Sequence, residues 1–421
     1  MLIRAIKVPY YKRAIPYSEE EIRMGLTYEK FCQIPFITKD IYRNNIFQMI
    51  DSKFLINQDE YEKFGMDFNA KKNYLLERGF YVKVTSGSTG VPMEVLKSLS
   101  DIKRDYFSIN LFRRKILGKE LLGNFLWIWP TNKFTRKYFY EEKKNYYKVN
   151  QYGFQYMLAE YSDVTFKELY DFIIQNDIGW ITSSPSALVN LADYIEKNML
   201  PKLHMNYIEC HSEVLLSWQK KIILENFGSS PISVYSSNEV QFMGMSCLDG
   251  HMHLMTRNAF LEFVPNENGK QEVVVTSLNN FDIPLVRYCL GDCGHWIEEE
   301  DCKLSKYPTF KLENYRKNDF LVTSNNVKFE PFIVYDSIIF LVSKFNLLIQ
   351  KYVVVQKNYN KLAYFFDNIM DDMQKKDVSS FLGKYFFEIT GSDFHIEIFQ
   401  FNDVFDVLGT RKFSYFISEV D

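Results

Sequence analysis

The chain has 421 residues, of which 47% are hydrophobic and 24% are charged. A chain of this length and composition can form two or three globular domains with a large apolar core. The net charge of −3 does not favour nucleic-acid binding, because phosphate recognition requires a concentrated basic surface. We therefore predict that nucleic acid is not a partner.

The N-terminal stretch "MLIRAIKVPYYKRAIPYS" has no long apolar segment and no small-residue cleavage site, so it is not expected to be a signal peptide. The most apolar later segment, residues 331–345, contains Asp336 and is too short to cross a membrane. Six cysteines are too few for a disulfide scaffold and fit a reducing compartment. We expect a cytoplasmic protein without a membrane span.

The first 80 residues have a mainly helical pattern, and Thr38 is the expected N-cap of one helix. From about residue 81 to 290, short β-branched or aromatic runs alternate with helical stretches. The predicted strands include 124–130, 177–184, 206–210, 231–237 and 272–278, and the predicted helices include 185–198 and 215–228. This alternation predicts an α/β fold in layers, with a largely parallel sheet.

The pattern changes after about residue 315. Helices are predicted over 331–345 and 371–390, and strands over 351–356, 362–367 and 394–401. These elements predict a small α+β module at the C-terminal end of the chain.

A stretch of small and hydroxyl residues separates two predicted strands within residues 82–95. Glycine lets the backbone approach an anion, and hydroxyl and backbone N–H groups can donate to it. The glycine at position 90 is followed by Val91 and Pro92 rather than by lysine and a helix, which argues against a Walker loop. Phosphate binding and an ordinary polar turn both remain open. The residues of this stretch are Ser86, Gly87, Ser88, Thr89 and Gly90.

Other stretches of the chain, taken with this one, resemble in their order the motifs of adenylate-forming enzymes. They are "VYSSNEV" (234–240), "IPLVRYCLGDCG" (283–294), "YRKNDF" (315–320) and "TRKFSYFIS" (410–418). In addition, "IPFITKD" (34–40), "SSPSALVNLADYI" (183–195) and "ECHSEVLLSWQKKIILENFG" (209–228) resemble the phenylacetate-CoA ligase-like branch, which includes capsule-biosynthesis relatives. The resemblance covers nearly the whole chain.

The resemblance implies a reaction in which a carboxylate attacks the α-phosphate of ATP, giving an acyl-adenylate and pyrophosphate. It implies that residues 86–90 hold the outer phosphates, that Tyr235 stacks on adenine and that Ser236 and Asn238 adjoin the nucleotide. Glu239 aligns with the Mg²⁺-binding position and Asp292 with the position that binds the ribose hydroxyls. A polyphosphate and a carboxylate repel each other, so the reaction requires positive charge and fixed orientation.

Two further residues are assigned by the resemblance. Lys412 aligns with the catalytic lysine, and Arg316 aligns with the arginine of a hinge motif. The implied domains are a large adenylation domain, residues 1–315, and a small mobile domain, residues 316–421, that carries Lys412. The small domain would close for adenylation and rotate for the second half-reaction.

Each of these residues also has a structural interpretation. Glu239 could cap a helix, Asp292 could cap a turn, Tyr235 could belong to a core, and Lys412 could be a solvated tail lysine. An ion pair would explain Arg287 and Arg316 equally well. The neighbours of the aligned residues depart from the family pattern at Ser236, Asn238, Tyr315, Arg411 and Ser414.

A zinc site is also implied by the resemblance, because many relatives carry one formed by cysteine and histidine. The aligned residues are Cys247, His253 and Cys302, whereas Leu304 replaces one family cysteine. Cys293 could supply the fourth ligand, which would give a Cys₃His set suited to structural Zn²⁺. Scattered free cysteines are the alternative.

The leading hypothesis is an ATP- and Mg²⁺-dependent ligase that activates an aryl or medium-sized carboxylic acid. The acyl acceptor would be the thiol of CoA or of a carrier protein. The alternatives are transfer to an amine or hydroxyl of a biosynthetic small molecule, and a non-catalytic homologue that binds nucleotide. The sequence leaves homodimer formation open.

Overall fold

The computed structural model describes most of the chain. The described residues are 1–65, 67–85, 93–130, 145–158, 161–212, 215, 217–265, 271–298, 302–313, 320–329, 332–345, 347, 349, 352–366, 368–401 and 416–420. The predicted phosphate-binding stretch 86–90, the predicted hinge residue Arg316 and the predicted catalytic residue Lys412 lie outside these residues, as do Tyr315, Arg411 and Ser414. The roles of these residues stay predictions.

The helices begin at the N-terminus, as the sequence predicts, and recur between the strands. Their bounds are α1 (Leu2–Ala5), α2 (Pro9–Ala14), α3 (Glu19–Met24), α4 (Tyr28–Cys32), α5 (Lys39–Asn45), α6 (Gln58–Glu62), α7 (Phe68–Glu77), α8 (Leu99–Leu117), α9 (Asp163–Gln175), α10 (Pro185–Lys197), α11 (Ser217–Phe227), α12 (Phe332–Phe345) and α13 (Asp372–Thr390), with a 3₁₀ helix at Ile46–Met49.

The strands are short and rich in β-branched and aromatic residues. Their bounds are β1 (Phe80–Thr85), β2 (Met93–Ser98), β3 (Asn124–Pro130), β4 (Tyr146–Lys148), β5 (Gly153–Leu158), β6 (Ile178–Ser183), β7 (Tyr207–Cys210), β8 (Ile232–Ser237), β9 (Gln241–Ser246), β10 (Met252–Leu254), β11 (Ala259–Pro265), β12 (Gln271–Ser277), β13 (Tyr288–Ile297), β14 (Thr309–Glu313), β15 (Leu321–Val322), β16 (Lys328–Phe329), β17 (Tyr352–Asn358), β18 (Lys361–Phe366), β19 (His395–Gln400) and β20 (Phe416–Ser418).

The chain divides into two compact units. The first takes its described residues from 1–85, 93–121 and 232–313, and the second takes them from 122–231 and 320–420. The sequence-based division into residues 1–315 and 316–421 stays a prediction.

The first unit consists of the N-terminal helices, the β1–β2 hairpin and an antiparallel sheet. Helix α5 begins after Thr38, whose hydroxyl accepts from the Ile41 N–H at 3.2 Å, so the predicted N-cap is confirmed. The sheet has the order β11-β12-β13-β14-β10-β9-β8. Helix and strand side chains share one buried core, which includes Tyr42, Phe80, Val275 and Tyr288.

The N-terminal part of the second unit has the expected α/β layering. Strands β7, β6, β3 and β5 pair in parallel in that order, and β4 adds an antiparallel edge. Helix α10 starts with Ser184 as N-cap and Pro185 in its first turn, which is a favoured helix start. One face of the helix packs Leu188, Leu191 and Ile195 into a core with the strands.

The C-terminal part of the second unit is an α+β module. Its described strands form a four-stranded sheet in the order β19-β18-β17-β20. Helix α13 begins with a capping box between Asp371 and Gln374 and buries Leu382 and Phe386 in the core of the module.

The predicted fold class, a large α/β part with layered sheets followed by a small α+β C-terminal part, is confirmed. The expectation of a largely parallel sheet holds only for the N-terminal part of the second unit, because the sheet of the first unit is antiparallel. Alternating hydrophobicity specifies a strand but not the direction of its neighbour. No helix in the described part of the chain has both the length and the apolar character needed to span a bilayer.

Candidate functional site

Tyr235 and Asp292, which the sequence analysis assigns to adenine and ribose, are in direct contact. The Tyr235 hydroxyl in β8 donates to Asp292 Oδ2 of β13 at 2.8 Å. Gly291 precedes this aspartate with φ = +82°, a backbone conformation that glycine adopts without strain. Burial and the Asp292 and Glu239 carboxylates raise the pKa of Tyr235, so its hydroxyl stays protonated as a donor.

Glu239 lies in the turn between β8 and β9 and is 6% exposed. Its Oε1 accepts from the Tyr288 hydroxyl at 3.0 Å, and its backbone carbonyl accepts from the Asn280 amide at 2.8 Å. Burial and the Glu239 carboxylate raise the pKa of Tyr288. One carboxylate oxygen is therefore fixed by a tyrosine, and neither contact is the helix cap that was the alternative interpretation.

We use the term carboxylate–tyrosine group for Tyr235, Glu239, Tyr288 and Asp292. The glutamate acts electrostatically on both tyrosines, so the four side chains share one neighbourhood in the first unit. A carboxylate can bind Mg²⁺ through oxygen, which is the role predicted for Glu239 from the motif resemblance. Of the other predicted nucleotide neighbours, Ser236 is exposed in β8 and Asn238 is partly exposed in the turn that contains Glu239.

Arg287 has the structural role that the sequence analysis left open. Its guanidinium forms a two-pronged ion pair with Glu262, with the two nitrogen–oxygen distances at 3.0 and 3.1 Å, and both side chains are buried. It also donates to the carbonyls of Cys32 and Ile34. These contacts join the segment after α4 to the sheet, so the arginine belongs to the fold of the first unit.

A second set of chemically active side chains lies in the same unit. We use the term Cys/His cluster for Cys247, His251, His253 and Cys302, whose ligand atoms lie within 4.8 Å of one another. His253 Nε2 is 3.3 Å from Cys302 Sγ, and His253 Nδ1 lies 3.2 Å from the Tyr307 carbonyl. With the Nδ1–H donated to this carbonyl, Nε2 has its lone pair available as a ligand.

The donors of the Cys/His cluster fit Zn²⁺. Two thiol sulfurs and two imidazole nitrogens make up a common structural zinc set, and zinc ligands come together at separations of this size. Burial lowers the pKa of His253 and raises the pKa of Cys247. The lowered pKa keeps the His253 imidazole neutral, as a metal ligand must be. The raised pKa means that the Cys247 thiolate forms only with a cation nearby.

The structure does not place Cys293, the predicted fourth ligand, in this cluster. Cys293 lies within β13, where it pairs with Glu313 of β14 and Glu272 of β12. His251 lies with Cys247, His253 and Cys302 in the cluster instead. The stretch "HMH" (251–253) contained a signal for His251. Residues two apart in an extended segment point to the same side, so a ligand at His253 also favours a ligand at His251.

Several aromatic residues lie on one face of the parallel strands. Trp180 is buried and stacks on Phe125 at 4.7 Å between ring centroids, as core residues do. Trp127, Trp129 and His211 lie together near the carboxyl ends of β3 and β7. Carboxyl ends of parallel strands are where ligands commonly bind in open α/β sheets.

No family model and no curated protein match the sequence. Solved structures of 2-hydroxyisobutyryl-CoA ligase have a similar fold. The ligase in the thioesterification state, with 2-HIB-AMP and CoA, has a TM-score of 0.56 at 13% identity, covering 100% of this chain and 88% of that one. An open conformation with the same ligands has a TM-score of 0.52 at 13% identity, covering 98% and 88%. The likeness shows that this chain has the fold of an acyl-CoA ligase over nearly its whole length.

Proposed function

We propose that this protein is an ATP-dependent adenylate-forming ligase. The observation that carries the proposal is the carboxylate–tyrosine group, because residues selected from separate motifs, Tyr235 and Glu239 in one and Asp292 in another, come together in the structure. The fold is that of a ligase whose solved structures contain 2-HIB-AMP, which supports the same chemistry here.

The residues of the group have separate tasks in the proposed reaction. The Asp292 carboxylate accepts from the ribose hydroxyls through the oxygen lone pairs that its bond from Tyr235 leaves available. The Tyr235 ring offers a flat surface for adenine. Glu239 would hold Mg²⁺, which neutralises phosphate charge when bound. Tyr288 fixes the orientation of the Glu239 carboxylate through the 3.0 Å hydrogen bond.

The remaining positive charge in the proposal comes from Lys412, which would stabilise the charge that develops on the α-phosphate during attack by the carboxylate. The stretch 86–90 would hold the outer phosphates. Closure of a C-terminal domain, residues 316–421, with Arg316 near the hinge, would bring the lysine to the nucleotide. These assignments rest on the motif resemblance.

The acid in the proposed reaction is an aryl or medium-sized carboxylic acid, as in the phenylacetate-CoA ligase-like branch. The cluster of Trp127, Trp129 and His211 supports a site for a planar group. The Trp127 Nε1–H is buried and has no hydrogen-bond partner among the described residues, so it can donate to a polar group of the acid. CoA is the proposed acceptor, since the ligase with a similar fold binds it.

The Cys/His cluster would hold Zn²⁺ as a structural ion. Two of its members, Cys247 and His251, lie in the β9–β10 connection, where Gly250 adopts φ = +98°. Cys302 lies in the turn before β14, and β14 pairs with β10. A zinc ion bound there would link the β9–β10 connection to the turn before β14.

A screen for pyrophosphate release, with aryl and medium-chain acids and with or without CoA, tests the proposed function. We expect acid-dependent release and a CoA thioester detected by mass. A product joined to an amine or hydroxyl acceptor would identify the transferase alternative. Tight ATP binding without pyrophosphate release for any acid would contradict the ligase and favour a nucleotide-binding homologue.

A further inference from the structure

The β1–β2 hairpin of the first unit brings two lysines together. The antiparallel register pairs Lys83 with Val95 and Tyr81 with Lys97. Because alternate residues of a strand share a face, Lys83 and Lys97 are diagonal neighbours on the same face of the hairpin. Lys83 is half-buried and Lys97 is 3% exposed, so two cationic side chains lie close together away from bulk water.

The two lysines differ in how their charge is compensated. Lys97 Nζ forms a buried ion pair with Asp105 Oδ2 at 2.6 Å. No carboxylate of the described residues forms such a pair with Lys83 or raises its pKa. Burial and the nearby Lys97 ammonium lower the pKa of Lys83 to about 8. A cation in this position is stabilised when an anion from outside the chain binds beside it.

The position of the uncompensated lysine points to the kind of anion. Lys83 precedes the stretch "SGSTG" by three residues, and that stretch contains serine, threonine and glycine but no lysine or arginine. Burial lowers the pKa of Lys97, and the Asp105 and Glu239 carboxylates act in the opposite direction. Glu239, the proposed Mg²⁺ ligand, is therefore in electrostatic range of the same face of the hairpin.

We propose that the Lys83 ammonium group binds the outer phosphates of a polyphosphate, whether those of a nucleoside triphosphate or those of free pyrophosphate. A phosphate oxygen accepts a charge-assisted hydrogen bond from the ammonium and supplies the negative charge that the described residues do not. The identity of the nucleotide as ATP rests on the proposed function, whereas the anion site does not. Lys83 would be a binding residue that supplies positive charge from strand β1.

The test is calorimetric titration of the full chain with inorganic tripolyphosphate, with pyrophosphate and with AMP. Loss of a hydrogen bond from a charged group is expected to weaken polyphosphate binding by about tenfold or more in Lys83→Met. Lys83→Arg should retain most of the affinity, because it keeps the charge. Lys103→Met, which removes an exposed lysine of α8, is the matched control and should behave as wild type. AMP affinity should not change in any variant.

A second measurement needs no variant. The wild-type chain is treated with an amine-acetylating reagent at pH 8, and the acetylation of Lys83 is followed by mass spectrometry. Tripolyphosphate should protect Lys83 and leave Lys103 unprotected. Unchanged modification of Lys83 at saturating tripolyphosphate would overturn the proposal, even if Lys83→Met did not fold.

The titrations separate this proposal from the proposed function. Three results would overturn the anion site. They are an unchanged polyphosphate affinity in Lys83→Met, a loss of AMP affinity in Lys83→Met as large as its loss of polyphosphate affinity, and a wild-type chain that binds neither tripolyphosphate nor pyrophosphate. If binding depends on Lys83 but no acid yields an acyl-adenylate, the site stands and the ligase function fails. If acyl-adenylate forms and Lys83→Met keeps the wild-type KM for ATP, the assignment of Lys83 fails alone.

Discussion

The Cys/His cluster and the carboxylate–tyrosine group lie in the same unit, but their polar atoms are arranged in different ways. In the carboxylate–tyrosine group, each carboxylate receives a hydrogen bond from a tyrosine, Asp292 from Tyr235 and Glu239 from Tyr288. In the Cys/His cluster, two sulfur and two nitrogen ligand atoms converge within 4.8 Å. The hydrogen bonds of the carboxylate–tyrosine group are formed by protein side chains alone. The Cys/His cluster instead brings together lone pairs that a metal cation would bind.

This difference indicates different functions for the two sets. A carboxylate held by one neutral donor keeps lone pairs for a ligand and can bind and release it without loss of the fold. A set of thiols and imidazoles around a structural ion contributes to folding when the ion is bound. Changes to the first set should therefore affect chemistry, and changes to the second should affect stability.

The largest expected effect is on chemistry and comes from Lys412→Ala. Removal of one donor that stabilises the transition state should lower adenylation about a hundredfold or more. Pyrophosphate exchange with the acid found in the screen measures the loss, and ATP binding should persist. A Lys412→Ala variant with near-wild-type exchange would show that the carboxylate–tyrosine group acts without this lysine.

The next largest effect is on stability and comes from Cys302→Ala. We expect about one zinc ion per wild-type chain, and loss of most of that zinc together with a lower Tm in the variant. Metal analysis and thermal melting measure these two quantities.

Cys293→Ala is the control for the zinc prediction, because Cys293 is outside the cluster, and it should retain the metal. His251→Ala should lose zinc as Cys302→Ala does. Zinc retained in His251→Ala and lost in Cys293→Ala would restore the ligand set inferred from the sequence.

A smaller effect is expected from Tyr235→Phe, which removes the hydrogen bond to Asp292 and keeps the aromatic ring. Loss of a hydrogen bond to a charged group should raise the KM for ATP by about tenfold. Steady-state kinetics over a range of ATP concentrations measure the change. Tyr74→Phe also removes a tyrosine hydroxyl bond in this unit, to the backbone of Asn57, and should leave KM unchanged.

The smallest effect concerns Lys83 and pH. The pKa of Lys83 is lowered from 10.5 to about 8 in the folded chain, so the unfolded chain binds more protons between these values. The contribution of Lys83 to the free energy of unfolding therefore rises as pH increases through this window. Chemical denaturation of wild type and Lys83→Met from pH 7.5 to 10.5 measures the difference. Parallel pH profiles for the two chains would contradict a shifted lysine.

The local elements of this fold follow from the sequence alone. β-branched runs form strands, as in β12 (Gln271–Ser277), and Thr38 caps a helix through its own hydroxyl. The sequence also pointed to three of the four members of the Cys/His cluster, and to the Tyr235, Glu239 and Asp292 members of the carboxylate–tyrosine group. These assignments came from the resemblance of short motifs to those of adenylate-forming enzymes, which local sequence is enough to show.

Contacts between distant segments were decided only by the tertiary structure. Three features depend on how segments far apart in sequence meet. They are the direction of strand pairing in the first unit, the ion pair of Arg287 with Glu262, and the presence of His251 rather than Cys293 in the Cys/His cluster. So does the hydrogen bond between Tyr235 and Asp292. The physical reason is that residue type specifies which bonds a side chain can form, whereas strand register and chain connection specify which partner lies within reach.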